Sequence, residues 1–154
     1  MAQVLLATAL PRLIAAVRRQ ARPTTIGGLI RSSGVWELMK ARGIANTGHN
    51  VVIYWDEPGA HLMASSNGIP VDIGAEITEP FESDDQLICT ATPAGRMVSA
   101  MHVGSYDGLG AAYQTIHAYC RAEGVQLAGP YWEFYGHWDN DPAKLETTVS
   151  YLLA

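Results

Sequence analysis

Five consecutive residues, Tyr131-Trp132-Glu133-Phe134-Tyr135, set one carboxylate inside an aromatic run. Strand side chains alternate faces, so Tyr131, Glu133 and Tyr135 share one side while Trp132 and Phe134 take the other. An ionised carboxylate among ring walls costs several kcal/mol unless a charge or hydrogen-bond donors compensate it. Two chemistries suit such a group. It can meet a ligand's positive charge, with the rings adding cation–π contacts of about 0.5–2 kcal/mol each. With its pKa raised by apolar burial, it can instead serve as a general acid or base on water or a strained ring. The plainer alternative is an edge strand whose glutamate points at water, and pattern alone leaves all three open.

Other constellations carry less chemistry. His137-Trp138-Asp139-Asn140-Asp141 has metal-like spacing, but it lacks the glycine and distant glutamate of a calcium loop and falls where a turn is needed. No metal is expected there. His102 reads as an interior strand histidine, and His117 aligns with Trp36 and is expected to face the same groove. Ser32-Ser33-Gly34 is no nucleophile elbow, because GxSxG is absent. Gly104, Gly108 and Gly110 fit neither the dinucleotide nor the phosphate-loop pattern, so no cofactor is expected.

These residues belong to a chain of 154, long enough for one domain with a real core. Hydrophobic residues make up 48% and charged ones 16%, which excludes disorder as the main state. Net charge is −5, and the one basic cluster, Arg18, Arg19 and Arg22, is too small for a nucleic-acid face. Cys89 and Cys120 show no CxxC or Cys/His pairing and read as buried free thiols of a reducing compartment. The apolar start Val4–Leu10 lacks the basic segment of a signal peptide, and no run reaches the length of a membrane span. A soluble, cytoplasmic protein without membrane partners is expected.

An internal echo organises the elements. Residues 3–17, QVLLATALPRLIAAV, resemble 86–101, QLICTATPAGRMVSAM, with one inserted residue. In the first half, strands near 3–10 and 12–19 precede Pro23-Thr24-Thr25, where a threonine can cap a helix over about 26–41 that ends at Gly43. A strand over 50–55, a turn at Asp56–Gly59 and extended segments near 61–66 and 69–77 follow. In the second half, strands at about 87–92 and 96–103 lead to Asp107, a candidate cap for a helix to about Ala122 that ends at Gly124. Gly129-Pro130 opens the strand 131–136, Asp139–Pro142 turns, and Leu145–Leu153 alternates as a last strand. The spacing predicts one α+β domain over 1–154. It would be a tandem duplication of a strand–helix–strand–strand unit, with repeats of about 1–80 and 84–154, an antiparallel sheet, two helices and pseudo-twofold symmetry. Val52 is then the counterpart of Glu133, and Tyr54 that of Tyr135. An apolar residue meets the structural need in one copy, so the acid in the other is better explained by what it binds.

The second half resembles the GyrI-like, or AraC-type effector-binding, domain family. The resemblance is carried by His102-x-Gly104-x-Tyr106, the following helix, Gly129, Trp132-Glu133-Phe134-Tyr135, Asp141-Pro142 and the terminal apolar strand. It implies a stand-alone protein that captures or senses amphiphilic aromatic or cationic compounds in a cleft between the repeats. Glu133 would be its buried acid, and Tyr135, Tyr131, Tyr106, Tyr54 and Trp36 its ring contacts. It also implies two alternatives: a hydrolase of reactive cyclopropane-type xenobiotics using Glu133 as the catalytic acid or base, and a protective protein partnering gyrase or a regulator. Regulators of the family carry a DNA-binding helix-turn-helix ahead of this domain. None is read here, so no direct nucleic-acid binding is expected.

Overall fold

The computed structural model describes residues 3–22, 26–56, 68–136 and 139–154. Among these, eight strands form one antiparallel sheet: β1 (Val4–Ala9), β2 (Leu13–Ala21), β3 (Asn50–Tyr54), β4 (Ile69–Glu76), β5 (Ile88–Ala91), β6 (Gly95–Val103), β7 (Leu127–Tyr135) and β8 (Glu146–Leu153). Helices α1 (Ile26–Ser32), α2 (Val35–Ala41) and α3 (Gly110–Glu123) lie between the second and third strands of each half. The fold is α+β, as the pattern of elements predicts.

Across the sheet the order is β1-β6-β8-β7-β3-β4-β2-β5. Exchanging β1 for β5, β2 for β6, β3 for β7 and β4 for β8 turns this order into its own reverse. The connections show that the sheet is rolled. β1 stands first and β2 seventh, which in a flat sheet would separate them by about 29 Å. Only Leu10, Pro11 and Arg12 join them, a reach of at most about 15 Å. Thr92, Pro93 and Ala94 make the same leap from β5 to β6. The two links are tied together, since the Thr92 N–H donates to the Arg12 carbonyl at 3.0 Å and the Arg12 N–H to Thr92 Oγ1 at 2.9 Å.

Alternation along the strands then builds two cores. The concave inner face buries Ala9, Ile14, Ala16, Val51, Ile53 and Trp132. The convex face carries the larger cluster, with the helices packed on it. α1 and α2 cover β2 and β4, and α3 covers β6 and β1, which leaves the central strands β3 and β7 in a groove between the helices.

Three expectations are corrected. The single helix over 26–41 is broken, because Gly34 adopts φ 70° and the Ser33 hydroxyl donates to the Ile30 carbonyl (3.1 Å) while accepting from the Val35 N–H (3.4 Å). Asp107 does not cap α3. It sits in a 3-10 turn over Tyr106–Gly108, and Leu109 holds the cap position without a side-chain bond. Strand β7 runs Leu127–Tyr135, where 131–136 is expected. Its register slips between Leu127 and Tyr131, where Pro130 has no N–H to give the ladder. The expected caps at 23–25, the turn at 57–59, the segment at 61–66 and His137-Trp138 lie outside the described residues. A methyl group at position 34 would meet nothing within 4 Å, so Gly34→Ala tests backbone strain alone. It should cost about 1 kcal/mol in urea unfolding, and an unchanged midpoint would refute the strained break.

Of the two cysteines, both free, Cys120 is buried and Cys89 only partly so, since β5 is an edge strand. Among the described residues no helix is long and apolar enough to cross a membrane.

Candidate functional site

Register brings the expected residues to the centre of the convex face. β3 and β7 pair so that Asn50 faces Tyr135, Val52 faces Glu133 and Tyr54 faces Tyr131. Glu133 therefore points toward the helices, and Trp132 and Phe134 toward the inner face. The reading of a glutamate in water is overturned, because Glu133 is 3% exposed.

Three tyrosine hydroxyls replace the water that Glu133 lost. Oε1 accepts from Tyr54 at 3.1 Å and from Tyr135 at 2.5 Å, and Oε2 accepts from Tyr113 at 2.5 Å. Burial pushes the Glu133 carboxyl above its ordinary value, and the hydrogen bonds from Tyr113, Tyr135 and Tyr54 pull back against it. The same burial, with the neighbouring carboxylate, raises the Tyr54, Tyr113 and Tyr135 phenols well above theirs. Beneath this cluster the rings are stacked. Tyr54 lies on Tyr131 at 4.5 Å, and Tyr131 on Tyr151 at 4.7 Å. Tyr113 stands edge-on to both Tyr131 and Tyr151, and His117 shares a 3.1 Å hydrogen bond with the Tyr151 hydroxyl.

Beside this layer opens a cavity of about 450 Å³, between α1–α2, β3 and the turn before α3. Trp36, Tyr106 and Tyr135 supply its rings, Ile30 and Leu109 its aliphatic wall, and Asn50 its polar edge. Tyr106 meets Tyr135 edge-on at 5.8 Å and is 43% exposed. His102 donates to the Ser105 carbonyl at 2.7 Å and so fixes the turn that carries Tyr106.

The six expected ligand contacts thus divide. Tyr135, Tyr106 and Trp36 line the cavity, whereas Glu133, Tyr54 and Tyr131 form the buried layer behind it. Tyr135 belongs to both, since its ring is wall and its hydroxyl holds Glu133. His117, expected to face the groove, turns to Tyr151 instead. Two residues were missed as site components. Tyr113 falls on the inward stripe of α3 beside the buried Ala112, Ile116 and Cys120, but periodicity does not reveal where a hydroxyl ends. Asn50 read only as the opening of a strand. Asp139 and Asp141 accept from the backbone N–H groups of Asp141 and Ala143, which is turn chemistry. Among the described residues no group of three His, Cys, Asp or Glu is placed to hold a metal.

Comparison with solved structures gives the same architecture. The C-terminal domain of EcmrR is 19% identical, with 100% of this chain and 98% of that one covered and a TM-score of 0.79. EcmrR in its cryo-EM complex with DNA is 21% identical at a TM-score of 0.78. There, 99% of this chain corresponds to 57% of the longer protein. SAV2435 bound to tetraphenylphosphonium is 12% identical, with coverages of 99% and 94% and a TM-score of 0.62. These identities speak to fold alone, and no curated protein matches the chain. The sequence profile of the GyrI-like small molecule binding domain matches residues 8–151. A match over nearly the whole chain, on this sheet and these helices, makes the protein a member of the GyrI-like small-molecule-binding domain family.

Proposed function

We propose that the chain captures amphiphilic aromatic cations in the cavity walled by Trp36, Tyr106 and Tyr135, with Glu133 as the counter-charge. The observation that carries this reading is the hydrogen bond from the Tyr135 hydroxyl to Glu133 Oε1. Through it, a ring on the cavity wall leans on a buried negative charge. Donating that proton enriches the Tyr135 ring in electron density, which strengthens its face as a cation–π partner. The Coulomb attraction of the carboxylate also reaches farther in a dry layer than it would in water. SAV2435, with tetraphenylphosphonium bound on the same fold, is in keeping with this chemistry. The geometry favours capture over hydrolysis. A general acid or base must come within about 2.6–3.2 Å of the reacting atom, and the tyrosines stand between Glu133 and the cavity.

Asn50 refines the ligand. Its Oδ1 accepts from Trp36 Nε1 and from Asn46 Nδ2, both at 3.0 Å, which fixes the orientation of the amide. Asn50 lines the cavity, and its own N–H pair has no hydrogen-bond partner among the described residues. A cation carrying a hydrogen-bond acceptor beside its ring therefore fits better than one without.

Tryptophan fluorescence tests both points, because Trp36 is part of the wall. Titration with 1-benzyl-3-carbamoylpyridinium should give saturable quenching, and 1-benzylpyridinium should bind roughly tenfold more weakly. Asn50→Ala should erase that preference. If neither cation quenches saturably, the capture reading is lost. If both bind with equal affinity, only the role of Asn50 is.

A further inference from the structure

A second cavity, of about 580 Å³, opens on the inner face of the roll, on the other side of the sheet from Glu133. Its floor is unusual for a core. Ser99 and Ser150 pair across β6 and β8, next to Trp132, and are 4% and 2% exposed. Neither hydroxyl has a hydrogen-bond partner among the described residues, and both residues line the cavity, as does Thr148 on the same strand face.

The other half of the sheet shows what this position requires structurally. Walking outward from the central pair, Trp132, Ser150 and Ser99 occupy one side, and Val51, Gly74 and Ala16 the matching places on the other. There β4 and β2 approach backbone to backbone, since a Cβ on Gly74 would lie 1.8 Å from the Ala15 carbonyl oxygen. Where one half packs backbone on backbone, the other keeps an open chamber floored by hydroxyls.

The mouth adds charge. The Arg12 guanidinium lies 4.6 Å over the Phe134 ring and donates one N–H to Glu76 at 3.3 Å, so most of its five donors stay available. His49 sits edge-on to the same Phe134 ring at 5.8 Å and also meets Glu76, through Nδ1. Among the described residues no carboxylate lines the cavity itself, and Glu76 meets it only through Arg12 and His49 at the mouth, while Leu5, Met97 and Trp132 supply apolar wall. Hydroxyl donors, a guanidinium and an apolar body are complementary to an anion with an aromatic or aliphatic ring.

We infer that the inner face of the rolled sheet holds a second binding site, for small amphiphilic carboxylates, with Ser99, Ser150 and Arg12 as its polar contacts. The site takes the opposite charge from the Glu133 cavity and is physically separated from it by the sheet.

2-Naphthoate is a suitable probe, with 2-naphthylmethanol as its uncharged counterpart, both followed by isothermal titration calorimetry on the whole chain. One molecule of naphthoate should bind per chain, roughly tenfold tighter than the alcohol. Arg12→Gln and the double variant Ser99→Ala/Ser150→Ala should each lower its affinity by a similar factor, with a circular-dichroism melt confirming that they fold. Glu133→Gln should leave it unchanged, and a saturating cation should not displace it. The inference is overturned if binding is not saturable, if the folded variants bind as the wild type does, or if the cation competes.

Discussion

If the chain captures cations as proposed, replacing Glu133 with Gln should weaken the binding of tetraphenylphosphonium about 100-fold, toward the lower end of the range for losing one partner of a desolvated charge pair. Gln fills the same volume and offers Oε1 to the Tyr54 and Tyr135 hydroxyls, so the cavity wall persists and only the charge leaves. An uncharged compound of similar shape, triphenylmethanol, should then change its affinity by less than about threefold. The dependence on pH has a definite sign. The native carboxyl titrates above its unfolded value because burial outweighs the three tyrosine bonds. Between those two values the native state holds a proton that the unfolded chain has released, and stability falls as pH rises. The variant carries no such group. Its melting temperature relative to wild type should therefore climb with pH across that window, while cation binding by wild type rises over the same interval. Equal losses for the charged and uncharged compounds, or a melting difference flat in pH, would sink the account.

Gly74→Ala should destabilise the fold strongly without touching a charged group. The added methyl would stand 1.8 Å from the Ala15 carbonyl oxygen and 2.8 Å from the Ala16 Cα. Both obstacles are backbone, so no side-chain rotation relieves them. β4 must part from β2 at the Ala16–Gly74 pair, and β2 is the strand whose link to β1 bends the sheet. A loss of at least about 3 kcal/mol in urea unfolding is expected, at or beyond the upper end for an overpacked core. Ser150→Ala, at the matching place in the other half, should cost less than about 1 kcal/mol because it faces open space. Similar losses at the two positions would contradict the asymmetry between the halves.

Much of this was legible from residue order, for identifiable reasons. Once 131–135 is read as a strand, the shared face of Tyr131, Glu133 and Tyr135 follows from a period of two. The role of Val52 opposite Glu133 came from comparing the halves, and the register places them in direct contact across β3 and β7. Local patterns do not carry long-range pairing. Nothing near Leu10–Arg12 announces that β1 will join β6 rather than β2. The break at Gly34 was hidden because helical periodicity runs on through Trp36, Leu38 and Met39 on its far side. The three tyrosine bonds to Glu133 required knowing where Tyr113 on α3 comes down, a matter of helix docking rather than spacing. The second cavity escaped notice because serine in a strand is an ordinary residue until its hydroxyl is found without a partner.

The two short links that roll the sheet also govern how the chain comes apart. β1 leaves its own half to pair with β6, and β5 leaves the other to pair with β2, as in Val4 with Ala100 and Leu13 with Ala91. Each half lends the other an edge strand, so neither has a complete sheet alone. Closing the first of these pairings brings the ends of the second together and removes most of its entropy cost. The shared edges couple the folding of the two halves, so a ligand held on either face would protect both through the one sheet.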